Sequence, residues 1–298
     1  MANARALDNR RKSVRNIKKI TRTMELIATA RFKQAMDRAT AATGYTDRIT
    51  QVVNDLASSG LEVSHPLLEK RDQTKTATLL VLTSNRGLCG GYNGNILRAA
   101  LDRKTQLEGE AETLDLQVSG KRGIAGLKFR GIEAAKTFTQ FEDKPAFDDV
   151  CEVANHFLDA FISGSIDRLD VAYTRFISVS KQEAVIETLL PLDSIGTGEP
   201  DTSNTQAPAK KESVYEFVPS PSSILEEVVP TSFRVKLFKC FLDSAVSEQI
   251  ARMVAMKSAT ENASEMIKQL SMEYNRARQS QITGEIMEII GGVEALEG

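Results

Sequence analysis

Tryptophan is absent from the 298 residues, and aromatic side chains supply only 6% of them. Thick globular cores lean on aromatic bulk, so this composition suits long helices that pack along seams. Histidine is scarce as well. His65 and His156 are the two, and neither sits in a cluster of His, Cys and carboxylate, which argues against a metal site. The three cysteines, Cys89, Cys151 and Cys240, are odd in number and far apart, with no C-x-x-C. That argues against a disulfide framework or a zinc site and favours a reducing compartment. No apolar run approaches the ~20 residues that span a bilayer. The basic N-terminus is not followed by an apolar stretch, so it does not read as a secretory signal. Any membrane association is therefore expected to go through partner proteins.

Charge is present but unevenly spread. The net charge is −2, yet residues 1–40 are strongly basic (Arg10, Arg11, Lys12, Arg15, Lys18, Lys19 and Arg22 among them) and residues 241–298 are acidic. Basic and acidic ends on one chain suggest pairing with each other or with partners of opposite sign.

Proline is missing from residues 3–59, and the first glycine there is Gly44. Val14, Ile17, Thr21, Met24, Ala28, Arg31 and Ala35 recur at alternating spacings of three and four, a heptad seam with Arg31 as its polar interruption. One long helix is expected, ended by Gly60 and His65-Pro66. The far end repeats the pattern. From Thr231 to Leu296 there is no proline, and Ala263, Ile267, Leu270, Tyr274, Ala277 and Gln281 form a second seam. Ile282, Ile286, Ile289, Val293 and Leu296 restart it one residue out of step, which suggests a change of winding or of partner surface. Two such helices cannot hide their stripes in the middle of the chain. They can hide them in each other, as an antiparallel pair.

The middle changes period. Ala77–Leu82 reads as a buried strand, Asn95–Leu107 as a helix, Leu114–Val118 as a strand and Lys121–Phe129 as a short helix. Ala135–Phe138 reads as a third strand and Asp148–Ile162 as an amphipathic helix. Asp170–Ser178 and Ala184–Leu190 alternate around Lys181-Gln182, the pattern of a hairpin. The expected fold class is α/β: a long antiparallel coiled coil of the terminal helices plus a central three-layer, Rossmann-like domain with a mixed sheet. The expected divisions are 1–60, 75–193, a polar mobile loop at 194–213, and 214–298.

Catalytic signals are thin. Thr83–Asn93, TSNRGLCGGYN, follows a strand and opens a helix, where a phosphate could meet free N–H groups. It lacks both G-x-G-x-x-G and G-x-x-x-x-G-K-[ST], so a tight turn is the better reading. Cys89 has Arg86 close by but no histidine base. Glu226-Glu227 and Asp148-Asp149 are adjacent on helices and point apart. The basic run near Arg10 lacks the interleaved aromatics of a nucleic-acid surface. No triad, metal site or cofactor site is expected.

Three segments together resemble the gamma subunit family of F-type ATP synthases: VRNIKKITRTMELIATARFKQAMDRA (Val14–Ala39), SNRGLCGGYN (Ser84–Asn93), and SEQIARMVAMKSATENA (Ser247–Ala263) continuing to NRARQSQITGEIMEIIGGVEAL (Asn275–Leu296). The resemblance implies a non-catalytic rotor shaft. Its expected partners are three alpha and three beta subunits, the epsilon subunit and the membrane ring of c subunits. Its expected place is the cytoplasmic face of the cell inner membrane, held there peripherally. It also implies partner-contact roles for Met24, Arg252, Arg278, Gln279, Thr283, Glu285 and Glu288. Asn85 stands where many members carry Asp, and Val218 precedes Pro219 where some carry an acid. The 194–213 loop lacks the cysteines of the thiol-switched chloroplast members.

Overall fold

The computed structural model describes residues 4–58, 65–68, 71, 73–141, 144–192 and 221–297. Among these the elements are, in order, α1 (Ala4–Ser58), β1 (Thr76–Leu82), α2 (Tyr92–Glu110), β2 (Thr113–Ser119), α3 (Lys121–Lys128), β3 (Lys136–Phe138), α4 (Phe147–Ile162), β4 (Arg168–Ser178), β5 (Lys181–Leu190) and α5 (Pro221–Glu297). Two compact units form, one from residues 1–30 with 251–298 and the other from residues 31–250.

The larger unit is built on a five-stranded sheet in the order β3-β2-β1-β4-β5. β1 pairs in parallel with β2 and β4, β2 with β3, and only β4–β5 is antiparallel. That is the mixed sheet the sequence period implies. Every residue from Ala77 to Leu82 is buried, because β1 is covered on both faces. Leu80 and Leu82 on one face share a core with Phe157 and Phe161 of α4 and Val229, Phe233 and Leu237 of α5. The pleat turns Ala77, Leu79 and Val81 to the other face, where α2 and α3 lie with Ile96, Leu97, Ala100 and Leu127 buried. Helix–sheet–helix layering follows. α5 begins before residue 231, at Pro221, and keeps Pro230 inside it. Proline removes a helical hydrogen bond at a cost of about 3 kcal/mol; complete burial of Val229 and Phe233 on either side offsets it. Further along α5, Leu242, Val246 and Ile250 pack against Ala35 and Ala39 of α1.

Buried carboxylates tie the strands to their surroundings. Asp170, fully buried, accepts from Arg103 Nε (2.7 Å), Arg168 Nε (2.9 Å) and Thr188 Oγ1 (2.8 Å). Asp167 accepts from the backbone N–H groups of Lys75 (2.8 Å) and Thr76 (2.9 Å) and pairs with Arg71. Burial works against the Asp167 anion, but these donors outweigh it and hold the carboxyl below its ordinary range.

The smaller unit is the antiparallel pairing of the two terminal helices. Val14, Thr21 and Ala28 are buried on α1, and Met256, Ala263 and Leu270 on α5. Each set recurs every seven residues. Apart from Arg252, one heptad position per helix is thus buried, not two. Ile17, expected in the seam, is 51% exposed, and Met24 is half-buried. The buried side chains are mostly small, so the contact strip is narrow and the neighbouring row stands at its rim. A polar crossing interrupts the strip: Thr260 Oγ1 donates to Thr21 Oγ1 (2.8 Å), which donates to the Lys18 carbonyl (3.1 Å). Toward the end of the pair the Arg11 guanidinium lies 4.6 Å above the Tyr274 ring.

Candidate docking interface

Among the described residues, the pairing with α1 reaches only part of α5. Counting outward from the Thr21–Thr260 and Arg11–Tyr274 contacts, Ala4 falls level with roughly residues 277–281 of α5. α5 runs on to Glu297. From Arg278 through Val293 every residue is exposed. That stretch is not polar all round. Ile282, Ile286, Ile289, Ile290 and Val293 follow helical spacing, form one stripe, and are between 43% and 68% exposed. An aligned row of β-branched aliphatic side chains is rarely left in water unless something covers it. Covering each half-exposed side chain is worth about 1 kcal/mol. The polar residues between them bond along the helix: Thr283 Oγ1 donates to the Gln279 carbonyl (2.9 Å) and Gln281 Nε2 to Glu285 Oε1 (2.9 Å).

The glycine-rich turn between β1 and α2 is organised differently. Its side chains are spent on holding the turn. Asn93 Oδ1 accepts from the Ser84 N–H (3.0 Å), and Asn93 Nδ2 donates to Ser84 Oγ (2.8 Å). Asn85 Nδ2 donates to the carbonyls of Thr139 (3.0 Å) and Phe141 (2.9 Å), while its Oδ1 accepts from the Lys121 N–H (3.0 Å). The Asn at this position uses its amide donors as an Asp could not. Leu88 takes a φ of 63° to complete the turn. Cys89 is buried beside Ser84 and Asn93. All three cysteines are free, and burial pushes the thiols of Cys151 and Cys240 above the ordinary range, away from thiolate chemistry. His65 Nδ1 accepts from the Leu67 N–H (3.1 Å), a structural role. Among the described residues no group of three or more His, Cys, Asp or Glu could hold a metal.

The family model for ATP synthase matches residues 3–296. A curated relative from Rhodopirellula baltica, an ATP synthase gamma chain, is 67% identical over 298 residues and is aligned along the whole of both chains. Another, from Saccharopolyspora erythraea, is 41% identical, with 99% of this chain and 98% of that one covered. The chain belongs to the ATP synthase gamma chain family.

Solved structures agree in fold. A chain of the Euglena gracilis mitochondrial ATP synthase, solved as an OSCP/F1/c-ring assembly, superposes with a TM-score of 0.66 at 18% identity, covering 98% of this chain and 94% of that one. A chain from the central stalk and c-ring of the Tetrahymena thermophila mitochondrial enzyme gives 0.55 at 19% identity, covering 80% and 99%.

Of the residues the resemblance singled out, the structure gathers Arg278, Gln279, Thr283, Glu285 and Glu288 on the unaccompanied end of α5, all exposed. Met24 is not with them. By the Thr21–Thr260 pairing it lies level with about Lys257, roughly 30 Å along the axis from Arg278. Arg252 is 6% exposed and offers little surface of its own. The stripe holds a residue that the heptad reading passed over: Ile290, four residues after Ile286. Its signal was present in the i, i+4, i+8 spacing of Ile282, Ile286 and Ile290. The side chain of Leu296, the 194–213 loop and Val218 lie outside the described residues.

Proposed function

We propose that this chain is the non-catalytic central-stalk rotor of an F-type ATP synthase, coupling proton flow through a ring of c subunits to nucleotide chemistry on a head of three alpha and three beta subunits. The observation that carries this reading is the end of α5, a single helix with its aliphatic stripe uncovered. A collar made from several other chains would bury such a helix on all sides while letting it turn. The rest of the narrow helix pair, with Ile17, Ile20 and Ile27 exposed along it, would lie beneath that collar. No helix among the described residues is long and apolar enough to cross a membrane. Attachment to the cytoplasmic face of the inner membrane would then run through the c ring and the epsilon subunit.

Rotation acts through differential contact. A shaft that met each beta subunit equally could shift no equilibrium among their open and closed forms. An asymmetric one can. We assign Arg278, Gln279, Thr283, Glu285 and Glu288 to polar contacts with the head. Met24 meets a beta-subunit loop in this reading, and Arg252 acts through neighbouring side chains. The test is co-purification of the tagged full chain with alpha, beta and epsilon subunits. Paired Ile286→Asp and Ile289→Asp changes should leave the chain folded, since both residues are exposed, and should cut recovery of alpha and beta. Undiminished recovery, or a stable lone monomer from wild-type cells, overturns the reading.

A further inference from the structure

The outer face of α3 is a second uncovered surface, on the larger unit and far in sequence from either helix end. Its exposed residues are Lys121, Arg122, Ala125, Lys128 and Phe129, with Arg130 following. Gly123 and Leu127 turn inward and are buried. Phe129 is 91% exposed, the most exposed large apolar side chain of the described residues. It is not on a fraying end. The Arg130 N–H donates to the Leu127 carbonyl, Gly131 N–H to Lys128, and Ile132 N–H to Leu127, at 2.9 to 3.0 Å. Gly131 takes a φ of 73° to close this cap. The helix end is therefore locked, and the ring is held outward.

The surrounding charge is mostly of one sign. Lys121, Arg122, Lys128, Arg130 and Lys136 fall within residues 121–136, against Glu133 alone. Lys121, Arg122, Lys128 and Lys136 make no ion pair among the described residues. The chain as a whole is slightly acidic, so this is a local excess. Beside it β3, with Lys136, ends the sheet. One side of that short strand meets no other strand among the described residues, and so presents main-chain donors and acceptors.

We infer that the outer face of α3, with Phe129 at its C-terminal end and the β3 edge beside it, docks an acidic segment of a protein partner. An exposed aromatic at the end of a short basic helix has the form of an interface anchor, and the cations along it select a partner rich in Asp and Glu. The strand edge decides the class of partner. A lipid surface would leave its main-chain groups unpaired, whereas an extended polypeptide can bond to them. One aromatic without interleaved neighbours gives no stacking platform for nucleic acid bases. The inference rests on the larger unit alone and does not depend on the rotor reading.

The test places a photoreactive benzoylphenylalanine at position 129 of the full chain in living cells. Irradiation should yield one dominant protein adduct whose sequenced peptide carries a clear excess of Asp and Glu. The same probe in a Lys121→Glu, Lys128→Glu background should lose the adduct about tenfold, as expected for a charge-steered contact. Both lysines are exposed, and an unchanged circular dichroism spectrum would show that the fold persists. A lipid or nucleic acid adduct, a peptide without acidic excess, no adduct, or a yield indifferent to the charge reversal would each overturn the inference.

Discussion

Asp243 carries a carboxyl into a place where α5 is buried on every side. It is 7% exposed, and burial pushes its pKa up to about 6 from an ordinary 3.8. The groups that face it act in both directions. Lys239 of α5, Arg175 of β4 and the Phe176 N–H favour the anion, while Glu187 of β5 opposes it. The neighbouring α1 surface presents Phe32, Ala35, Met36 and Ala39, which do not titrate. Because the folded value lies above the unfolded one, the folded chain holds more protons between the two. Stability is then highest below the unfolded value and falls as pH rises toward and past 6. A shift of this size corresponds to about 3 kcal/mol at pH 7 and above. Asp243→Asn keeps the shape and removes the charge. Urea denaturation of wild type and variant, followed by circular dichroism from pH 4 to pH 8, should show the variant more stable at pH 7–8 by about 2–3 kcal/mol. The difference should shrink to nearly nothing near pH 4. A pH-independent difference, or a variant less stable at pH 8 than wild type, would show that the buried anion is compensated and the reasoning wrong.

Asp170→Ala should destabilise the sheet by about 3–5 kcal/mol, since Arg103 and Arg168 lose the carboxylate they share; equilibrium urea melts read this. Gly120→Ala should cost about 1–3 kcal/mol or abolish folding, because Gly120 has a φ of 101° and an added Cβ would overlap the Thr83 carbonyl. Soluble yield and thermal melting check it. Thr21→Val and Thr260→Val should be coupled by about 0.5–1.5 kcal/mol in a double-mutant cycle, the worth of the hydrogen bond across the helix pair. Additive losses would mean that bond does not matter.

Periodicity made the elements legible because it records which face is covered. The continuous apolar run at Ala77–Leu82 meant a strand buried on both sides, and it is one. The hairpin around Lys181 and the helix read at Asp148–Ile162, which runs Phe147–Ile162 in the structure, were readable in the same way. The seam was only half readable. Val14, Thr21 and Ala28 look no more apolar than Ile17 and Met24, and residue type alone does not say which row small side chains will draw to the axis. Asp167, Asp170 and Asp243 left no local trace, since their partners come from distant strands or from the closing of the core around them. The uncovered α5 end was signalled by the broken register at Ile282. Its exposure is a matter of packing, which the register alone does not record.

The unaccompanied stretch of α5 also bears on the life of a free copy. Gly291 and Gly292 sit in it, each costing about 1 kcal/mol relative to alanine in a helix. A solitary helix of this length is marginal in water without tertiary support. In a copy outside the collar proposed above, the last turns are expected to open more readily than the rest of α5, with the aliphatic row in water. On the proposed reading, the surface that assembly buries is the same one that a surplus copy leaves in water.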